Sequence, residues 1–412
     1  MIAYHLPPLA GSSGIQRTLR FAQNLPRYGW EPLLLTVHPR AYERTSDDLM
    51  RDLPDSIVLR RAFALDTARH LTLRGRYVGA TARPDRWVSW RFDGVRQGLR
   101  MIREFAPQAI WSTYPIATAH LIGAALQRKS GLPWIADFRD PMAQPDQHYP
   151  SDPATYASFI QIEASAAAQA ARLVFTTPGA LRDYQQRYPA AAARMALLEN
   201  GYDEESFAGA PPAALPTPHG GPLVLLHSGI VYPAERDPTQ LFEALGRLRR
   251  AGLLTPAQLR IRFRAAVHDA MLRDTARARG AEDFIEILPP IPYREALGEM
   301  LGIDALLVMQ ASNCNAQIPA KLYEYLRAAR PILGLTDPIG DTAWALRGAG
   351  IKDIVALDSA DAIAAALPDF VARLRTGRVA GAQADAVAKA SRQSRTHELA
   401  LALDSLASGG AR

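Results

Sequence analysis

Two charged residues three positions apart stand in the stretch Gln317-Ile-Pro-Ala-Lys321-Leu-Tyr-Glu324-Tyr-Leu-Arg-Ala-Ala-Arg330-Pro-Ile-Leu333. Pro319 suits the first turn of a helix, and the i, i+3 spacing puts Lys321 and Glu324 on one helical face. An ammonium there can meet a diphosphate while the carboxylate accepts hydrogen bonds from ribose hydroxyls. The competing reading is a plain ion pair between the two. Lysine is scarce in this arginine-rich chain, with Lys129, Lys352 and Lys389 as the others. A second fixed cation, Arg236, lies in the loop Gly229-Ile-Val-Tyr-Pro-Ala-Glu-Arg236-Asp-Pro238, between a strand-like and a helix-like run. A guanidinium at a strand end can grip phosphate with two donors, unless Asp237 or Glu235 claims it as a surface pair.

A third feature precedes a helix-like run near the start of the chain: Pro7, Pro8, Leu9, Ala10, Gly11, Ser12, Ser13 and Gly14, followed by Ile15, Leu19, Ala22 and Leu25 on one face. Small residues opening a helix offer free backbone N–H groups and the positive end of the dipole to an anion. The spacing is neither Walker A nor G-x-G-x-x-G, so a tight strand-to-helix turn accounts for it equally. His120 titrates near neutrality and is either a catalytic group or a satisfied core histidine. No D-x-D pair or histidine cluster with metal spacing stands out, so no metal and no cofactor are expected.

These groups need elements to hold them. Ile2 to Leu6, Pro32 to Val37, Ile110 to Thr113, Trp134 to Phe138, Leu173 to Thr177 and Met195 to Glu199 read as buried strands between helix-like segments, which implies a parallel sheet. After Phe207 comes AGAPPAALPTPHGGP, small residues and proline with little to bury. The alternation then resumes with strands at Leu223 to His227, Leu259 to Phe263, Phe284 to Leu288, Ala305 to Met309, Ile332 to Leu335 and Ile354 to Leu357. Helices are predicted at Thr239 to Arg250 and Ile318 to Ala328. The expected organisation is an N-terminal α/β domain over 1–207, a linker over 208–222, a second α/β domain over 223–386, and a segment over 387–412 that packs back across the domains. Two such sheets should face a central cleft that holds the site.

The bulk numbers set bounds. A chain of 412 residues, 48% of them hydrophobic, has material for two cores. A lone cysteine, Cys314, asks for no oxidising compartment, and no stretch approaches a membrane span, so a cytoplasmic protein is expected. The net charge of +6 is modest for this length and points to no nucleic acid. The arginines between Arg60 and Arg103 are interleaved with Tyr77, Trp87, Trp90 and Phe92. That mixture suits either an anionic membrane surface or a solvated helical face.

On the loop through Gly14, the segment Trp134-Ile-Ala-Asp-Phe-Arg-Asp-Pro141, Asn200-Gly-Tyr-Asp203, the Gly229 to Arg236 loop and Pro319 to Leu333, the chain resembles the family 4 type of retaining glycosyltransferases with the GT-B fold, in the bacterial polysaccharide and cell-surface branch. The resemblance runs over nearly the whole chain. It implies two Rossmann-like domains and transfer of a sugar, with retention, from a nucleotide-diphosphate donor to a hydroxyl of a glycan or lipid-linked acceptor. It further implies that Arg236 and Lys321 hold the donor diphosphate, that Glu324 binds the ribose, and that Gly11, Ser12, Ser13, Gly14 and Gly229 lie near the phosphates. Asp137 falls where related enzymes place a polar residue beside the transferred sugar; a salt bridge with Arg139 is its alternative. Two positions depart from the pattern: Ala316 stands eight before Glu324 in place of a glutamate, and Pro289-Pro-Ile291 follows the predicted Phe284 to Leu288 strand where relatives commonly carry glycine. A nucleotide-sugar epimerase and a non-catalytic scaffold of the same fold are the alternatives.

Overall fold

A computed structural model describes residues 1–11, 14–47, 49–144, 152–210 and 221–409. The chain divides into two compact units, one of residues 1–199 with 392–412 and one of residues 200–391. These bounds differ from the sequence expectation at both ends of the second unit. Tyr202 and Phe207 bury among Leu297, Leu322 and Leu326, which draws the 200–210 segment into that unit. The Ala384–Lys389 helix stays with it, whereas the Arg392–Gly409 helix belongs to the first unit, with Leu399, Ala400 and Leu403 packed on Phe21, Leu25 and Trp111. Of the expected linker, residues 211–220 lie outside the described residues.

In the first unit the strands are β1 (Leu33–Val37), β2 (Val58–Ala62), β3 (Ile110–Thr113), β4 (Trp134–Arg139), β5 (Arg172–Phe175) and β6 (Met195–Leu197), and all pairings are parallel. The expected first strand is reduced to bridges at Ile2, which pairs with both Leu35 and Ser112. Its neighbours close the ladder: Ile2 N–H donates to Trp111 (2.7 Å) and Ala3 N–H to Leu35 (3.1 Å). The spatial order is therefore β2, β1, the Ile2 segment, β3, β4, β5, β6. β2 was not foreseen, since Val58-Leu-Arg-Arg-Ala62 has too few apolar residues to stand out.

In the second unit β7 (Leu223–Ser228), β8 (Leu259–Arg264), β9 (Ile285–Leu288), β10 (Ala305–Gln310), β11 (Ile332–Thr336) and β12 (Ile354–Val355) form one parallel sheet in the order β12-β11-β10-β7-β8-β9. Counted from β7, that is the doubly wound order 3-2-1-4-5-6, whose direction of winding reverses between the first and fourth strands, here β7 and β10. β7, β10 and β11 read as near-continuous apolar runs because helices cover both faces: Leu225, Leu307 and Leu335 enter one core, and Leu226, Leu306, Val308 and Ile332 the other, whereas β8 alternates, with Leu259, Ile261 and Phe263 buried and Arg260, Arg262 and Arg264 half-buried. The helix predicted over Ile318 to Ala328 begins at Lys321, with Leu322 N–H on the Pro319 carbonyl, so Pro319 precedes the helix rather than opening it. Among the described residues no helix is long and apolar enough to cross a membrane.

Candidate functional site

The switch between β7 and β10 is where an open α/β sheet offers a crevice beyond its strand ends. The residues that emerge there are polar. β7 ends on His227 and Ser228, and Gly229 follows at φ +114°, a conformation that strains any residue with a side chain. A Cβ at Gly229 would lie 2.8 Å from the Lys321 ammonium, so the glycine also makes room for it.

His227 is fully buried, and its Nδ1 lies 3.1 Å from the Leu307 carbonyl of β10. A carbonyl only accepts, so Nδ1 carries the proton and Nε2 keeps its lone pair. Lys321 Nζ lies 3.2 Å from that Nε2, placed to donate to it. Burial, with the Lys321 and Arg236 charges beside it, pushes His227 well below the usual histidine range and keeps it neutral. Lys321 is itself pushed down to about 7, first by burial and then by Arg236, while Glu324 acts in the opposite sense. The ammonium is thus held by a neutral acceptor.

Arg236 is nine-tenths covered. Its Nη1 donates to the Ile230 carbonyl at 2.9 Å, its guanidinium lies 5.1 Å from the Tyr232 ring centre, and its buried Nε has no partner among the described residues. The competing pairing with Asp237 does not form: that carboxylate instead accepts from the backbone N–H and hydroxyl of Thr239. Neither Arg236 nor Lys321 enters an ion pair among the described residues, so the alternative of a plain Lys321 to Glu324 bridge is also not what forms. Two partly desolvated cations that share no ion-pair partner can receive an anion. One helical turn on from Lys321, Glu324 accepts from the Tyr293 hydroxyl at 2.6 Å. Tyr293 opens the Tyr293–Gly302 helix, just after the Pro289 to Pro292 segment that leaves β9.

The first unit holds the remaining candidates. Gly11 adopts φ +77° and Gly14 opens the Gly14–Asn24 helix, where a Cβ would run into His5 and approach Arg139; Ser12 and Ser13 lie outside the described residues. Asp137, on β4, is fully buried and bidentate to Arg17 of that helix, with Nε to Oδ2 at 2.7 Å and Nη2 to Oδ1 at 3.1 Å. Arg17 also donates to the Leu198 and Glu199 carbonyls, and the Thr113 hydroxyl donates to Asp137. The partner of Asp137 is therefore Arg17 and not Arg139, because Arg139 leaves β4 at φ +61° at an irregularity in the β4–β5 register.

His120 is likewise fully covered, with Nδ1 2.8 Å from the Ser112 hydroxyl and its ring 4.7 Å from that of Phe138. Burial lowers it to about 3. Of the four residues expected to be catalytic, the structure brings Arg236 and Lys321 together at one strand switch. It seats Asp137 and His120 in the other unit, each fully buried there.

Three residues that bear on these sites escaped the sequence reading. His227 is a single polar residue at a strand end, which carries no spacing signal. Tyr293 reaches Glu324 only through the fold. Arg17 was the most accessible of the three, because it follows Gly14 by three positions on a helix whose inward face was recognised.

The family profile described as "Glycosyl transferase 4-like domain" matches residues 13–201. No curated protein matches the sequence. Among solved structures, the chain is similar to a glycosyltransferase from Rickettsia africae, at 11% identity and a TM-score of 0.64, covering 98% of each chain. It is similar to HepE from Anabaena in complex with UDP and glucose, at 12% identity and a TM-score of 0.62, over 98% of this chain and 99% of that one. WaaG, a glycosyltransferase involved in lipopolysaccharide biosynthesis, gives 14% identity and a TM-score of 0.62 with the same coverage. The 13–201 segment thus matches the glycosyl transferase 4-like domain, and the whole chain has the GT-B fold of glycosyltransferases, with a Rossmann-like sheet in each unit.

Proposed function

We propose that this protein is a glycosyltransferase that moves a sugar from a nucleoside-diphosphate donor to an acceptor hydroxyl, with retention of configuration and without a protein-held metal. The observation that carries the reading is the pair of unneutralised cations, Arg236 and Lys321, at the strand switch of the second unit. Arg236 grips the donor diphosphate with its planar fork and Lys321 adds a point charge, while Gly229 lets the phosphates approach the backbone. Glu324 accepts from the ribose hydroxyls, steadied by Tyr293. HepE, in complex with UDP and glucose, supports a nucleotide-sugar donor.

In the reaction, the bond from the anomeric carbon to the diphosphate oxygen breaks as the acceptor oxygen bonds to that carbon on the same face, and the acceptor hydroxyl's proton passes to the departing phosphate oxygen. Negative charge grows on the leaving phosphate as an oxocarbenium-like centre forms, and fixed cations stabilise that charge more than the ground state's. Asp137 and His120 act by position: Asp137 locks Arg17 and so the start of the Gly14–Asn24 helix, and His120 fills the core beneath β3 and β4. The acceptor is a glycan or a lipid-linked carrier in cell-surface glycan synthesis, met by a protein peripheral to the cytoplasmic membrane face.

A thermal-shift screen of nucleoside diphosphates and their sugars tests the donor site. A ligand at about 100 times its dissociation constant stabilises the fold by about 2.7 kcal/mol. One nucleotide should stabilise the wild type, and folded Arg236→Ala, Lys321→Ala and Glu324→Ala variants should lose that response. Equal responses in all four proteins would remove the site. Donor turnover that depends on an added acceptor separates transfer from epimerisation and from mere binding.

A further inference from the structure

Between β2 and β3 the chain makes an excursion whose residues bury little. Every residue from Arg69 to Thr81 is exposed. At its tip Leu73 and Arg76 exchange backbone hydrogen bonds of 2.8 and 3.0 Å across Arg74 and Gly75, which both sit in the left-handed region at φ +53° and +77°. Two successive positive φ values define the tight turn that matches strand twist, so the tip is a built hairpin. Yet it carries large apolar side chains into solvent: Leu73 is 78% exposed and Val78 69%, with Leu71 and Tyr77 each near half. Several large apolar side chains held in solvent on one short segment mark a contact site.

The charges around it are of one sign. No Asp or Glu lies between Asp66 and Asp85, a stretch that contains Arg69, Arg74, Arg76 and Arg83. Arg69 reaches back to the Tyr42 carbonyl, whereas Arg74, Arg76 and Arg83 enter no ion pair among the described residues. The flanking acids are turned inward. Asp66 is fully buried and paired with Arg86, and Asp85 accepts from the backbone N–H and hydroxyl of Thr118. The projection therefore presents leucine, valine and tyrosine among uncompensated guanidiniums.

We propose that the Leu71 to Val78 hairpin docks the protein on an anionic lipid surface, with Leu73 and Val78 entering the acyl boundary, Tyr77 at the headgroup level, and Arg74, Arg76 and Arg83 on lipid phosphates. Charge complementarity selects this occupant. Guanidiniums facing each other across a pair of identical hairpins would repel, whereas an anionic leaflet attracts each arginine by about fivefold in partitioning. The apolar side chains add binding that salt does not screen. This inference does not depend on the donor site, which lies in the other unit.

The test uses the full chain and co-sedimentation with vesicles of phosphatidylcholine alone or mixed with phosphatidylglycerol. Wild type should sediment with the mixed vesicles, weakly with the neutral ones, and less as salt rises. The double variant Leu73→Asp with Val78→Asp should lose binding by at least about tenfold at every salt concentration. Arg74→Glu with Arg76→Glu should lose it most at low salt. Both should keep the wild-type melting temperature and nucleotide-induced shift, since these side chains bury nothing in the fold. Leu253→Asp, at a leucine 62% exposed in the second unit, should bind as wild type. Absence of sedimentation with the mixed vesicles, or unchanged binding by the Leu73 and Val78 variant, overturns the proposal. So does a wild-type dimer that this variant splits without any dependence on lipid.

Discussion

At the residue scale, Lys321 ties the site to a measurable protonation. Burial and Arg236 lower its ammonium to about 7, and a diphosphate favours the charged form. Affinity for a nucleoside diphosphate should therefore fall as pH rises from about 6 to 9, with a proton taken up on binding at the upper end. Titration calorimetry in buffers of different ionisation enthalpy reads that proton directly. Lys321→Arg, charged throughout, should flatten the profile; an affinity indifferent to pH in the wild type would separate Lys321 from the anion. Asp137 makes a different kind of prediction. Asp137→Ala leaves the Arg17 charge buried without its partner and should cost about 3–5 kcal/mol in denaturant unfolding of the first unit. Replacing both partners, as Arg17→Met with Asp137→Leu, should cost less than that single change.

At the element scale, the loop from β7 and the Arg392–Gly409 helix are the informative pieces. Gly229→Ala combines a backbone strained by about 1–3 kcal/mol with a Cβ pressed against Lys321. It should weaken nucleoside-diphosphate binding more than Ala→Gly changes in exposed helix of the same unit, as read by the thermal-shift response. The C-terminal helix covers Phe21, Leu25 and Trp111 with Leu399 and Leu403. Leu399→Ala should destabilise the first unit by about 2–5 kcal/mol, and urea unfolding followed by a probe in each unit should show the second unit unmoved.

At the scale of the molecule, buried neutral histidines set the acid limit. His120 is lowered to about 3, His5 to about 4, and His227 well below the usual range, each chiefly by burial. Between those values and about 6.5 the unfolded chain binds the proton and the folded chain does not. Stability is therefore present above 6.5 and lost as pH falls, by up to about 1.4 kcal/mol per pH unit for each histidine. Denaturant unfolding from pH 7 down to pH 4.5 should show that decline. His120→Phe should remove one histidine's share from the first unit's slope, and an unchanged slope would show that the ring is charged when folded.

Periodicity determined most of the architecture, because buried parallel strands must be apolar on both faces and so announce themselves as short runs. Ala305 to Met309 and Ile332 to Leu335 are such runs, whereas Leu259 to Phe263 shows itself by alternation with Arg260 and Arg262, and each lies within an observed strand. Residue type and spacing also singled out Arg236, Lys321 and Glu324, since cations and a carboxylate at strand and helix ends are visible locally. Pairing is not local. Only the fold joins Asp137 to Arg17, 120 positions apart, or sets His227 beneath Lys321, 94 positions on. Burial is decided the same way: His120 and the Leu73 hairpin look equally uncommitted as text, yet packing encloses the first completely and leaves the second in solvent. A side chain's protonation, its partner and its access to a ligand depend on what the rest of the chain brings to it, and those are properties of the tertiary structure.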